Sequence, residues 1–167
     1  MRSIHFVLGG ARSGKSRHAE ALLEAEPGPW TYIATAQAFD GEMHARIAEH
    51  RSRRPAGWIT IDAPLSLAEA LDHAGDTPVL VDCLTLWLTN LMLAEHDIDV
   101  ATNGLLTALS RRAATTVMVS SEVGLGIVPD NILARKFRDA AGILHQCVAA
   151  ASDTVVFVLA GLPMKVK

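Results

Sequence analysis

The run Gly9-Gly10-Ala11-Arg12-Ser13-Gly14-Lys15-Ser16 fits the spacing G-x-x-x-x-G-K-[ST], and each part of that spacing has a task in handling phosphate. Small residues let backbone N–H groups close around the phosphates, and the helix that follows turns its positive N-terminus towards them. Lys15 supplies a mobile positive charge for the β- and γ-phosphates, and Ser16 a hydroxyl for Mg²⁺. Arg12 reads either as a further phosphate ligand or as a solvated loop arginine. The context suits the chemistry, because an apolar strand (Ile4–Leu8) precedes the loop and a helix (Lys15–Glu26) follows it. The loop therefore points to a nucleoside triphosphate.

Two further features could complete such a site. Val79-Leu80-Val81-Asp82 places a carboxylate at the end of an apolar strand, where ligands of open α/β sheets bind. Asp82 there could hold the Mg²⁺ shell directly or through water, or it could cap the following helix. The second feature is a basic stretch, Gly41–Arg54, with helical period. At about 100° per residue, Glu42, Arg46, His50 and Arg53 share one side, with Met43 and Ile47 beside His50. Neighbouring arginines would keep His50 neutral and could grip a triphosphate. That suits an imidazole attacking an α-phosphate, which splits one transfer into two. It also suits an amphipathic helix with a solvated charged face and a half-buried histidine. Spacing alone leaves both readings open.

The elements that must position these residues alternate along the chain. Expected strands are Ile4–Leu8, Trp30–Ala34, Trp58–Ile61, Val79–Val81, Thr115–Ser120 and Val155–Ala160, with a short run at Met164–Val166. Expected helices are Lys15–Glu26, Gly41–Arg53, Ser66–His73 (Ser66 as cap), an apolar one through Ala94, Gly104–Arg112, and one from Pro129 to about Ala151. Strands that are apolar throughout, separated by helices, predict a single α/β domain over residues 1–167. Its sheet is mostly parallel, covered on both faces, and joined by right-handed crossovers. A parallel sheet also brings Glu122 and Gly124–Pro129 to the edge that carries the phosphate loop. There they read as an acceptor-holding segment or as a tight glycine-rich turn.

Composition narrows the partners. A chain of 167 residues with a formal net charge of −3 and few aromatics offers neither a basic surface nor a stacking platform for nucleic acid. Cys83 and Cys147 lack metal-type spacing and read as reduced thiols of a cytoplasmic protein. Ile4–Leu8 passes straight into glycines and charges, which argues against a signal peptide. The longest apolar run, Val155–Met164, is too short to span a bilayer.

Beyond spacing, the chain resembles a known family. Gly9–Glu20, Tyr32-Ile-Ala-Thr35, Glu42-Met43, Arg46-Ile47, His50-Arg51, Arg54-Pro55, Trp58, Asp82-Cys-Leu-Thr85, Trp87, Asn90-Leu91, Glu122-Val-Gly-Leu-Gly-Ile-Val-Pro129, Asn131, Leu133-Ala-Arg135, Phe137-Arg-Asp139, Gly142, Gly161 and Lys165 look like the bifunctional adenosylcobinamide kinase/adenosylcobinamide-phosphate guanylyltransferase family. The resemblance spans essentially the whole chain. It implies a RecA-like P-loop fold and a homotrimer. It also implies two reactions: ATP or GTP phosphorylates adenosylcobinamide, then GMP from GTP is transferred through a histidine with release of pyrophosphate.

The family's guanylylated position falls on His50. The same resemblance assigns nucleotide contacts to Gly9, Gly10, Ala11, Arg12, Ser13, Gly14, Lys15 and Ser16, and to Ala34, Thr35 and Ala36. Arg51, Ser52, Arg53, Arg54, Asp62 and Asp82 complete that set. Asp62 and Asp82 stand where relatives carry Glu, and Ser121 where they often carry Asn. Competing readings are a plain P-loop kinase of another hydroxylated metabolite, with His50 structural, and a nucleotide-dependent regulatory protein that binds and switches without turnover.

Overall fold

Alternate residues of most strands are buried on both sides, so a sheet built from them needs cover on two faces. The computed structural model, which describes residues 3–37 and 56–167, supplies it. The expected helix Gly41–Arg53, with His50, lies outside the described residues. Among those described, the strands are β1 (Ile4–Gly9), β2 (Trp30–Ala34), β3 (Trp58–Asp62), β4 (Val79–Asp82), β5 (Thr116–Ser121), β6 (Thr154–Leu159) and β7 (Leu162–Lys165). The helices are α1 (Lys15–Glu24), α2 (Leu67–His73), α3 (Leu84–Leu93), α4 (Ile98–Arg111) and α5 (Ile132–Ala151).

The strands form one sheet in the order β3-β2-β4-β5-β1-β6-β7, parallel throughout except at β6–β7. That hairpin turns on Ala160 and Gly161, both with positive φ. This is the backbone a two-residue turn between right-twisted strands requires. It is why the short run expected near Met164 becomes an antiparallel edge strand.

Residues two apart along a strand share a face, and the two cores follow that rule. Ile4, Phe6, Ile33, Val79, Val81, Met118 and Val155 pack under α2–α5. Val7, Tyr32, Ala34, Leu80, Val117, Val119 and Val156 pack with Ala19 and Leu23 of α1. The crossover between α4 and β5 is pinned by Arg112, which is 5% exposed. Its guanidinium donates to the carbonyls of Leu71, Gly75 and Thr77 and to Thr116 Oγ1, satisfying one carbonyl in the last turn of α2 and two in the loop that follows it.

Some helix boundaries differ from expectation for local reasons. α4 begins at Ile98 rather than Gly104, because Asp97 accepts from Val100 N at 3.0 Å and caps a first turn with weak periodicity. α5 begins at Ile132, since Asn131 rather than the Pro129 region caps it, accepting from Ala134 N at 3.1 Å. Ser66 occupies the cap position of α2 but makes no capping hydrogen bond with its side chain. No helix of the described residues is long and apolar enough to cross a membrane.

Candidate active site

Parallel strands bring their carboxyl ends to one edge, and the sequence-marked residues that the structure describes gather there. β1 ends at Gly9, where a Cβ would lie 2.8 Å from Val158 O and 2.4 Å from Ser13 Oγ. Only glycine lets the loop leave the sheet so close to β6. Gly14 enters α1 with φ +92°, and a Cβ there would press on Gly161 Cα at 3.3 Å, so its left-handed backbone also calls for glycine. Ser13 O accepts from Gly161 N at 2.8 Å, which ties the loop to the β6–β7 turn. Gly10, Ala11, Arg12 and Gly14 lie at least partly open to solvent. Lys15 Nζ donates to Gly10 O at 3.1 Å. Ser16, half-buried, follows in the first turn of α1.

Strand parity sets the direction of the remaining groups. Leu80 and Ala34 belong to the α1-side core, so Asp82, two residues beyond Leu80, is on that face as well. Asp62 pairs in register with Ala34, which pairs with Asp82. Counting strands from β1 at about 4.8 Å each, Asp82 stands roughly 10 Å, Ala34 roughly 14 Å and Asp62 roughly 19 Å along the edge. The arrangement is a ledge, with a phosphate cradle at one end and β2–β3 at the other. Asp82 is half-buried and Asp62 exposed. The cap position of α3 belongs to Cys83, not Asp82. Ser16 and Asp82 offer a hydroxyl and a carboxylate, the hard oxygen donors that suit Mg²⁺. Arg51, Ser52, Arg53 and Arg54, like His50, lie outside the described residues.

Thr35 has a different part in this ledge. It is fully buried, and its hydroxyl donates to Cys83 O at 2.7 Å and accepts from Cys83 N at 2.8 Å. Its N–H donates to Asp82 O at 3.2 Å, and its carbonyl accepts from Asn90 Nδ2 at 2.7 Å. Asn90, on α3, also donates to Pro64 O at 2.9 Å. Thr35 thus locks the end of β2 to the turn that carries Asp82, and Asn90 locks both to the exit of β3. Burial, then the charge of Asp82, pushes the Cys83 thiol up to about 11.

A second buried network lies on the other face. Thr85 Oγ1 accepts from Ser121 N at 2.6 Å and pairs with Ser120 Oγ at 2.9 Å. Ser120 Oγ pairs with His145 Nε2 at 2.8 Å. His145 Nδ1 lies 3.9 Å from Glu122 Oε2, and the ring packs 5.7 Å from that of Phe6. Burial pushes the His145 imidazole below its ordinary range, and Glu122 opposes that. Glu122 N donates to Gly9 O at 3.0 Å, so this network ends beside the phosphate loop.

The sequence marks Glu122 as a possible site residue and Thr85 only as part of the family resemblance, and it gives Ser120 and His145 no such role. The available signal was a histidine on the apolar stripe of α5, between Ala141, Leu144 and Val148. Arg135 does not pair with Asp139 as helical spacing suggests. It donates to Pro129 O and Asp130 O, and Asp139 lies 3.7 Å from Arg138.

Comparison with known proteins gives this ledge a context. The family described as cobinamide kinase / cobinamide phosphate guanyltransferase matches residues 5–166. The bifunctional adenosylcobalamin biosynthesis protein CobP of Pseudomonas aeruginosa is 50% identical, covering 96% of this chain and 95% of its own. The corresponding CobU proteins of Salmonella typhimurium and Escherichia coli are 44% and 42% identical, each covering 96% of this chain and 98% of its own. Among solved structures, a type III secretion ATPase of pathogenic bacteria superposes with a TM-score of 0.61 at 12% identity, over 98% of this chain and 56% of that one. A Pyrococcus horikoshii protein, PH0250, gives 0.56 at 8% identity, over 99% of this chain and 86% of that one. Those two likenesses concern the fold alone. The family match and the near-full-length relatives decide the matter: the chain belongs to the cobinamide kinase / cobinamide phosphate guanyltransferase family.

Proposed function

We propose that this chain phosphorylates adenosylcobinamide with ATP or GTP and then transfers GMP from GTP to the phosphate so formed, giving adenosylcobinamide-GDP and pyrophosphate. The observation that carries the reading is a phosphate cradle and a ledge of carboxylates on one sheet edge, in a chain that belongs to this family over nearly its whole length.

In the first reaction the loop N–H groups of residues 9–16 and the N-terminus of α1 hold the β- and γ-phosphates. Lys15 neutralises charge that develops as the γ-phosphoryl group moves. Ser16 and Asp82 would hold Mg²⁺, which when bound supplies further charge neutralisation to the phosphates. In the second reaction His50 attacks the α-phosphorus of GTP, pyrophosphate leaves, and the acceptor phosphate then takes GMP from the histidine. Arg51, Ser52, Arg53 and Arg54 contribute nucleotide contacts beside His50, and Ala34, Ala36 and Asp62 contact the nucleotide along the ledge. Thr35 acts by holding Asp82 and Ala36 in place. The sheet-edge geometry supports the kinase half, and the family resemblance supports the assignment of His50. The same resemblance supports a cytoplasmic homotrimer, which sedimentation at micromolar concentration checks directly.

The decisive assay supplies adenosylcobinamide, Mg²⁺ and GTP and follows the corrinoid by chromatography. The reading predicts ordered appearance of adenosylcobinamide phosphate and then adenosylcobinamide-GDP, with one pyrophosphate per GMP transferred. Phosphate product without any GDP product would leave only a kinase. Nucleotide binding with no corrinoid product at all would overturn both activities.

A further inference from the structure

We propose that Glu122 is the general base of the phosphoryl-transfer step, and that His145 and Gly124 position its carboxylate. This inference rests on the kinase activity proposed above. It starts from sheet order, because β5 lies between β1, which carries the phosphate loop, and β4, which carries Asp82. Gly9 pairs with Ser121, and Asp82 pairs with Val119. Glu122 therefore stands one strand from the loop and three residues beyond the level of Asp82. Asp62, at the far end of the ledge, is some 19 Å from β1 by strand spacing.

The carboxylate is held, yet not consumed. Oε1 accepts from Gly124 N at 2.5 Å, and Oε2 lies 3.9 Å from His145 Nδ1. The side chain keeps 23% of its exposure, so a lone pair and a path for the proton to water both remain. Behind it, His145 is fixed by Ser120, which is fixed by Thr85. A held group backed by a chain of satisfied buried partners is what precise placement of a base requires. Gly124 belongs to the same device, because a Cβ there would lie 2.9 Å from Glu122 Oε1 and displace the carboxylate.

The acceptor hydroxyl gives its proton to the Glu122 carboxylate while its oxygen bonds to the γ-phosphorus. The bond from the γ-phosphorus to the β–γ bridging oxygen breaks, and its electron pair leaves on the nucleoside diphosphate. Glu122 then passes the proton to solvent. GMP transfer starts from an acceptor phosphate that is largely the dianion near neutral pH, its second pKa being about 6, so it has no alcohol hydroxyl to deprotonate and no need of this base.

The test measures both half-reactions separately, with adenosylcobinamide for the first and adenosylcobinamide phosphate for the second. Glu122→Gln should lower kcat for phosphorylation by about 100-fold or more, the usual scale for losing a general base, with KM for the nucleotide little changed. GMP transfer should persist. Gly124→Ala, which keeps the carboxylate but displaces it, should show the same selective loss, and serves if Glu122→Gln folds poorly. His145→Asn should lower phosphorylation less, and adding it to Glu122→Gln should cost nothing more, because it acts through that group. Equal loss of both half-reactions, or additive loss in the double variant, would mark a structural role and overturn the proposal. Full phosphorylation by Glu122→Gln would overturn it outright. Wild-type protein that phosphorylates no corrinoid would instead overturn the kinase reading on which it rests.

Discussion

Replacing Thr35 by valine keeps the shape of a buried side chain and deletes one oxygen. That oxygen holds the two ends of the Cys83 peptide unit, accepting from its N–H and donating to its carbonyl. After substitution the carbonyl keeps a partner, since Trp87 N donates to it at 3.1 Å. The Cys83 N–H loses the acceptor it has in a buried setting. Leaving a buried donor unpaired costs about 1–3 kcal/mol, and the lost carbonyl bond adds about 0.5–1.5 kcal/mol. The sum is about 1.5–4.5 kcal/mol, which for a domain of this size lowers Tm by roughly 3–18 °C. Thr35→Ser retains the hydroxyl and removes one methyl, for about 1 kcal/mol. Urea unfolding of wild type and both variants, followed by circular dichroism, gives the comparison. If Thr35→Val unfolds within the error of Thr35→Ser, the hydroxyl does not hold the Asp82–Cys83 turn.

Other consequences follow from the same geometry. Gly9→Ala sets a Cβ against Val158 O and Ser13 Oγ. It should destabilise the fold by about 1–3 kcal/mol and weaken GTP binding by calorimetry, whereas Gly10→Ala, whose Cβ meets nothing within 4 Å, should leave stability near wild type. Burial lowers the imidazoles of His145, despite Glu122, and of His5, despite Asp153 and Glu26. The unfolded chain therefore binds more protons just below the ordinary histidine value of about 6.5. Stability should be fullest above that pH and fall as pH drops towards the folded values, and His5→Asn should flatten the decline. With its thiol pushed up to about 11 and buried, Cys83 should resist iodoacetamide at pH 8 while half-buried Cys147 is alkylated; mass spectrometry of tryptic peptides distinguishes them.

What the sequence made legible was local or periodic. The G-x-x-x-x-G-K-[ST] loop is a contiguous string, so its position between a strand and a helix could be read directly. The strands could be read because both of their faces are apolar, which follows from the cover on both sides of the sheet. Asp82 was visible as a carboxylate at a strand end. The helix starts at Ile98 and Ile132 were missed because each is set by one capping side chain, Asp97 or Asn131, ahead of a weakly periodic first turn. The Thr35 hydrogen bonds and the Thr85–Ser120–His145 network were illegible for a different reason. Thr35 meets Cys83 and Asn90 across 48 and 55 residues, and Ser120 meets His145 across 25. No spacing rule couples positions that only the sheet order brings together. Thr35, which the resemblance places among the nucleotide contacts, has its hydroxyl, N–H and carbonyl hydrogen-bonded within the fold.

The central claim is that one phosphate cradle serves two reactions at two different phosphorus atoms, the second through a covalent histidine. Incubation with GTP labelled at the α-phosphate, Mg²⁺ and no acceptor tests it most directly. Label should be retained on the protein in an acid-labile, base-stable phosphoramidate. The label should be lost in His50→Ala, which still phosphorylates adenosylcobinamide, and lost together with phosphorylation in Lys15→Met. An active wild-type protein that retains no label, or label that survives in His50→Ala and vanishes in His44→Ala, would rule out GMP transfer through His50.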